Sequence, residues 1–573
     1  MENVEIARLL DEIADLLELG DENQFRIRAY RNAARTIWEK PEPLAEIALT
    51  DPAELLKLPG IGKDIAAKIT ELVRTGELSQ LNELRQKTPR GLRDLMNVPG
   101  LGPKRAMQLF HALQIQTLEG LEAAAKAQKL RSVPGFGQKT EEKILRELAT
   151  LQSTPKRTLL ADAAQFAEPY VAWLRKLPGV KECEIAGSYR RQAETIGDLD
   201  ILITCTEGTP VVDHFVSYLD VREILAQGPT KASVRIRGGL QVDLRVLEPQ
   251  SYGAGLYYFT GSQAHNVAVR RIAQARDLKI NEYGVYQGDR RIAGRTEAEM
   301  FAAVGLPWIP PELRENRGEI EAAAEGKLPD LVTLDQIRGD LQSHTTDSDG
   351  RDSLEAMADA AAALGYEYYA VTDHTPALAM VQGLDREGFR AQRKKVDQYN
   401  SGSRKLTVLA GAEVDILADG TLDLDDETLR MLDVVVVSLH SRLSLPLEAQ
   451  TERICRALSH PNVDIFGHPS ARLIGRRQPV AADWEKVFQT AADHGVMLEI
   501  NAQPDRLDLN DVHARAALSH GIMLTLGSDA HRTRELDFMP WGVRQARRAW
   551  ATAANIANTR PLHELRKLLH GTR

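Results

Sequence analysis

Residues 187–201 read GSYRRQAETIGDLDI, and the last five of them, Gly197-Asp-Leu-Asp-Ile201, decide how the chain is read. In a strand, residues i and i+2 face the same side, so Asp198 and Asp200 present two carboxylates together. A third acid, Asp243, alternates within another β run, Gln241-Val-Asp-Leu-Arg245. Gathering three like charges is costly unless divalent cations compensate. Hard oxygen ligands suit Mg2+, and two such ions clamp the attacking and leaving oxygens of a phosphoryl transfer. Ser188 and Arg191, near Gly187, are placed to hold the phosphates of an incoming nucleotide. For DxD alone, an exposed strand end is the plainer reading. The flanking sequence has to decide.

Around this stretch, residues 184–186, 201–204, 233–236 and 242–247 read as strands. Upstream, residues 1–150 read as short amphipathic helices, for instance 4–19 and 29–39, joined by Pro-Gly turns. One turn recurs three times: Leu58-Pro-Gly-Ile-Gly62, Val98-Pro-Gly-Leu-Gly102 and Val133-Pro-Gly-Phe-Gly137. Lys63, Lys104 and Lys139 follow the three copies. Such a turn running into a helix leaves backbone N–H groups pointing outward, with the helix dipole behind them. One copy is an ordinary helix connector; three make a phosphate grip. The repeats resemble the helix-hairpin-helix motif, which holds DNA backbone without reading sequence. Gly60, Gly62, Gly100, Gly102, Gly135, Gly137 and Lys104 are the expected contacts.

Composition sets the bounds. The 573 residues suggest three to four domains, and 43% hydrophobic with 27% charged residues is a globular mixture. No apolar run is long enough for a membrane span. Residues 1–25 carry acids where a secretion signal needs a basic, then apolar stretch. Cys183, Cys205 and Cys455 are too few and scattered for a disulfide framework or thiolate zinc site. A reduced, cytoplasmic setting is expected. The net charge of −9 argues on average against nucleic acid, but residues 51–150 carry 16 basic against 12 acidic side chains. A locally basic segment can still hold a phosphate backbone.

The block Tyr257-Tyr-Phe-Thr-Gly-Ser262, with Asn266, Arg270 and Asn281-Glu-Tyr283, closely resembles the nucleotide-binding signature of family X DNA polymerases. GSYRR, GDLD and QVDLRV match that family's palm motifs in the same order. The resemblance covers roughly residues 1–310. It implies Asp198, Asp200 and Asp243 as metal ligands, Gly187, Ser188 and Arg191 at the triphosphate, and Tyr258, Phe259 and Gly261 against the nucleotide sugar. Asn266 and Arg270 would face the minor groove near the nascent pair. Gln263 departs from the pattern, standing where the vertebrate repair polymerase beta has an acid. In the family's small N-terminal domain a lysine forms a Schiff base with an abasic sugar. By register with the first Gly turn that lysine is Lys68, with Arg26 and Tyr30 near the 5′-phosphate. Here Asp64 replaces a family lysine close by.

Eleven of fourteen histidines follow residue 330, where expected strands (368–371, 406–410, 434–438, 463–466, 497–500, 523–526) alternate with helical stretches such as 353–364. Five of them, His344, His374, His440, His468 and His531, stand at strand ends, and the other six, His460, His494, His513, His520, His563 and His570, fit no such setting. A solitary histidine is more often a satisfied polar residue. Recurrence at the edge where α/β barrels build their sites indicates a ligand cluster. Imidazole with carboxylate suits Mn2+, Zn2+ or Fe2+. The pattern resembles the polymerase-and-histidinol-phosphatase (PHP) domain over about 336–573. That resemblance implies up to three ions, Mn2+ or Zn2+, on Gln342, His344, Asp349, His374, Glu413, His440, His468, Asp529 and His531, and a Mn2+-dependent 3′–5′ exonuclease with possible abasic-site or 3′-end cleaning. The usual HxH opening is QxH here, and a neutral amide binds a transition metal less well, which weakens one metal site or calls on Asp340.

The expected fold is multidomain α and α/β. Residues 1–85 form a small helical lyase-like domain and 86–153 a helix-hairpin-helix domain. A nucleotidyltransferase palm (154–248), a thumb (249–312), a linker (313–335) and a distorted (β/α) barrel of PHP type (336–573) follow. The expected activity is gap filling on gapped or primed DNA with dNTPs, as a monomer, with the two metal sites in separate folding units. A DNA-binding scaffold with decayed sites is disfavoured by the complete carboxylate triad. A small-molecule nucleotidyltransferase is disfavoured by the three Gly turns.

Overall fold

The computed structural model describes residues 3–19, 23–38, 44–50, 52–58, 60–75, 78–87, 92–95, 98, 101–153, 157–378, 381–402 and 404–569. Gly100 and the Lys104 side chain lie outside the described residues. The chain divides into two compact units, residues 1–156 and 157–573.

The first unit is helical throughout its described residues, with one apolar core running from Ile6 to Leu148. Its three Pro-Gly turns each open a helix: Lys63–Thr75, Pro103–Leu113 and Gln138–Ser153. In all three the turn closes through the same backbone bond, Ile61 N to Leu58 O, Leu101 N to Val98 O and Phe136 N to Val133 O.

In the second unit, five strands pair in the order Val180–Ile185, Asp198–Cys205, Gln241–Val246, Lys231–Ile236, Val221–Gln227. Asp198–Cys205 and Gln241–Val246 are parallel; the other neighbours are antiparallel. Helix Leu160–Arg175 lays Ala163, Ala167, Tyr170 and Leu174 on this sheet. Helices Tyr252–Thr260 and Gln263–Gln274 and a three-stranded antiparallel sheet (Leu278–Asn281, Gly284–Gln287, Arg290–Ala293) follow. The stretch expected as a linker contains helix Glu319–Ala324, and Arg314 and Glu319 are fully buried in it.

Seven parallel strands then run in sequence order from Gly339–Asp340 to Leu524–Gly527. Central strands such as Val434–Ser438 are buried at every residue, as expected of a parallel sheet covered on both faces. The sheet nearly closes on itself. A parallel bridge joins Ser343 to Ala530, flanked by Asp529 N to Gln342 O at 3.0 Å and His344 N to Ala530 O at 2.9 Å.

The palm and the barrel pack together within one compact unit. Trp541 of the barrel packs on the palm core, and Arg472 pairs with Glu194 across the boundary at 2.7 Å. No helix among the described residues is long and apolar enough to cross a membrane, and all three cysteines are free.

Candidate active sites

Parallel pairing sets the palm triad. Asp200 lies opposite Asp243 across the two central strands, and Asp198 opposite Gln241, whose amide donates to Asp243 at 3.0 Å. Three acids therefore sit on one face of adjacent strands. Burial first, then the charges of Asp198 and Asp243, push the Asp200 carboxyl up to about 7. Burial and Asp243 likewise raise Asp198. This like-charge strain is what bound divalent cations relieve, and the all-oxygen donor set fits Mg2+. Gly187 is needed here: its φ is +64°, and a Cβ would lie 3.0 Å from the Asp200 carboxylate.

Beside the triad, Arg191 donates through Nε to Glu315 at 3.0 Å and through Nη1 to the Thr260 carbonyl at 2.5 Å. Ser188 occupies the first turn of the short helix Gly187–Arg190. Tyr258 and Phe259 meet edge to face at 5.2 Å, with Arg270 over the first ring and Arg245 over the second. Asn266 donates to the Tyr258 carbonyl at 2.8 Å, and Gly261, with φ +66°, ends the helix carrying both rings. The sequence reading missed the ion-pair core behind this wall. Arg190 and the fully buried Arg314 both bind Glu297, at 2.7 and 2.6 Å. Burial raises the Glu297 carboxyl, but the two guanidiniums outweigh it and hold it down to about 2. Arg190 was visible inside GSYRR; Glu297, 107 residues further on, carried no local signal.

At the barrel's carboxyl edge, Glu413 is the hub. His468 Nε2 lies 2.8 Å from it, His440 Nε2 3.2 Å, His344 Nε2 3.2 Å and His374 Nδ1 3.7 Å. His344 also reaches Asp529 at 3.0 Å, while Asp349 faces His531 at 3.3 Å and His374 at 3.5 Å. Three groups have ligand atoms within 4.8 Å of one another: His344, Asp349, His374 and His531; His374, Glu413 and His440; and His344, Glu413 and Asp529. Buried Nδ1 atoms of His344, His374 and His468 have no hydrogen-bond partner, as fits ring nitrogens free to hold metal. The donor set suits transition ions.

Gln342 is buried at this edge with both amide atoms unpartnered. Asp340 Oδ1 accepts from Ser528 N and Gln342 N, so this carboxylate braces the backbone around the cluster. Asp415 was missed, although it lies two residues from Glu413 on one strand, the spacing already used for Asp198 and Asp200. It accepts at 3.2 Å from His440 Nδ1 and so orients that ring.

In the helical unit, the first glycines of two turns, Gly60 and Gly135, have φ of +77° and +84° and serve the backbone. The second glycines, Gly62, Gly102 and Gly137, meet nothing within 4 Å where a side chain would stand. The fold does not require them bare. Lys68 is ion-paired with Asp64, which also accepts from Tyr30 at 3.2 Å. Arg26 is exposed on helix Gln24–Trp38 and adds to the field that lowers Asp64, after Lys68 and Tyr30.

An acid triad on paired strands and a histidine–carboxylate cluster at a barrel edge define a two-site enzyme, a nucleotidyltransferase joined to a metal-dependent phosphoesterase. Known families match in the same order. A helix-hairpin-helix domain matches residues 1–78, a SAM-like helix-hairpin-helix tandem 92–150, the DNA polymerase beta palm 162–245, the DNA polymerase beta thumb 255–315 and the PHP domain 340–503. The chain is 36% identical over 573 residues, 99% of each sequence, to the DNA polymerase/3′-5′ exonuclease PolX of Bacillus subtilis. It is 23% identical over 344 residues, 55% of this chain and 56% of the other, to DNA polymerase lambda of Rattus norvegicus. A probable phosphatase of Acetivibrio thermocellus is 31% identical over 206 residues, 34% of this chain and 80% of its own. The protein belongs to the family X DNA polymerases that carry a PHP domain, enzymes that use divalent metals with DNA and dNTPs as substrates.

Proposed function

We propose that this polymerase fills short gaps in repair with Mg2+ held by Asp198, Asp200 and Asp243, and trims 3′ ends with Mn2+ or Zn2+ held by the barrel cluster. Residues 154–248 serve as palm, 249–312 as nucleotide-binding thumb and 336–573 as nuclease, with 1–153 gripping the template. The observation that carries the reading is the pairing of Asp200 with Asp243 beside Gly187, an all-oxygen site next to Ser188 and Arg191. Bound Mg2+ would supply positive charge to the reacting phosphate. The chain's own groups do the rest. Ser188 and Arg191 hold the triphosphate, Tyr258 and Phe259 pack the sugar, and Asn266 and Arg270 face the minor groove. The primer 3′ oxygen bonds to the α-phosphorus and pyrophosphate leaves.

Lyase chemistry is left out of the proposal, because Lys68 is tied into an ion pair with Asp64. A monomer is supported by both sites being complete in one chain, and a cytoplasmic setting by three unpaired cysteines. The test is one labelled gapped duplex incubated with Mg2+ and dNTPs, then with Mn2+ alone. Extension in the first and 3′ shortening in the second are expected; absence of extension overturns the palm assignment.

A further inference from the structure

The nucleotide-side arginine is held in place from the barrel. Arg548 ends helix Met539–Arg548, nearly buried, and its Nη1 donates both to the Arg191 backbone carbonyl at 2.7 Å and to Glu315 at 3.0 Å. The same Glu315 oxygen accepts from Arg191 Nε at 3.0 Å. One carboxylate oxygen is thus shared by two guanidiniums, one from each side of the boundary. Asp511, also of the barrel, fixes the far edge of Arg548 at 2.7 Å. Arg191 spends Nε on Glu315 and Nη1 on the Thr260 carbonyl, which leaves Nη2 as its unengaged terminal nitrogen among the described residues. Three residues on, Glu194 is clamped by Arg472 at 2.7 and 3.2 Å. The palm loop from Arg191 to Glu194 is therefore pinned at both ends by barrel arginines.

A long side chain that must present one edge of its guanidinium gains from having the other edges fixed beforehand, because the ordering cost is met before the ligand arrives. We propose that Arg548 of the phosphoesterase domain is a positioning residue for nucleotide addition: it fixes Glu315 and the Arg191 backbone so that Arg191 is presented to the triphosphate. The proposal rests on the reading of Arg191 as a triphosphate contact. It makes the barrel part of the polymerase site. Arg547, one residue earlier, is the internal control. It also crosses the boundary, to Glu312 at 2.8 Å, but touches neither Arg191 nor Glu315.

The test is single-nucleotide insertion on a gapped duplex by the full chain, with dNTP titrated in Mg2+. The variants are Arg548→Met, Arg548→Lys, Arg547→Met, Glu315→Gln, Arg191→Ala and the double Arg548→Met/Glu315→Gln. Arg548→Met is expected to raise the dNTP KM about tenfold with kcat within about threefold, a misplacement effect. Arg548→Lys should recover part of this, and Arg547→Met should leave KM unchanged. The double variant should fall short of the sum of the two singles, since the Arg548–Glu315 contact is lost in both. Mn2+-dependent 3′ degradation of a single strand, read on each variant, reports that the barrel is folded. If Arg548→Met folds by that measure and shifts KM no more than Arg547→Met, or if the double variant is additive, the proposal is overturned. Should Arg191→Ala itself leave KM unchanged, the fault lies in the reading of Arg191, and the proposal falls with it.

Discussion

The palm and the barrel edge hold their acids in opposite ways. The palm places three carboxylates on two paired strands and leaves Asp198 exposed, with only oxygens on offer. The barrel sinks Glu413 and Asp529 among imidazoles drawn from separate strand ends, with His344, His374 and His468 buried and His440 and His531 half-buried. An open, oxygen-only donor set suits a hard ion, and a buried set rich in imidazole suits a softer one.

The largest test of this contrast is to remove one site at a time. Asp200→Ala should lower nucleotide addition by several orders of magnitude, as loss of a shared metal ligand does, while 3′ degradation persists. His374→Ala or Asp529→Ala should abolish degradation and spare extension. Loss of both activities from either substitution, in a chain that melts like the wild type, would erase the distinction.

Metal choice comes next. Mg2+ alone should support extension with little degradation, and Mn2+ should raise degradation by roughly tenfold or more. Equal degradation rates in the two metals, measured on a labelled single strand, would show that imidazole does not govern the second site.

Stability gives a third comparison, since the palm side leans on a buried ion pair. Glu297 has its carboxyl depressed from 4.5 to about 2, so its stabilisation is complete above pH 4.5 and fades as pH falls toward 2. Glu297→Gln should cost about 3 kcal/mol at neutral pH and flatten the acid limb of the melting curve. A variant with the wild-type acid slope would mean that Arg190 and Arg314 do not hold this carboxylate.

The smallest effect is expected in the helical unit. Gly102→Val and Gly137→Val should leave melting unchanged, because open space surrounds both positions, yet weaken duplex binding by a few-fold. Binding should fall log-linearly with salt and ignore sequence. Normal affinity in both variants would show that no phosphate approaches these turns.

Much of this architecture was legible because local pattern and burial agree. The strand expected at 434–438 is Val434–Ser438, and the helix expected at 353–364 is Leu354–Ala363, capped by Ser353. Strand periodicity put Asp198 and Asp200 on one face, and the resemblance carried by the Tyr257–Ser262 block, not periodicity, made them and Asp243 a metal triad. Strand Val221–Gln227 was missed since six of its seven residues are exposed, which leaves no apolar alternation to read. The buried stretch taken for a linker was missed for the opposite reason: Arg314, Glu315 and Glu319 look solvated in sequence and owe their burial to partners far away in the chain. Long-range ion pairs leave no periodic trace.

The seam that closes the barrel joins Gln342–His344 to Asp529–Ala530, and His344 and Asp529 are themselves members of the metal cluster. The barrel is a hoop whose clasp is its active site. Opening the seam would part His344 from Asp529, so an ion held by both would brace the closed hoop. The melting temperature of the second unit should climb with the concentration of free Mn2+, as mass action requires of any ligand that binds only the closed form.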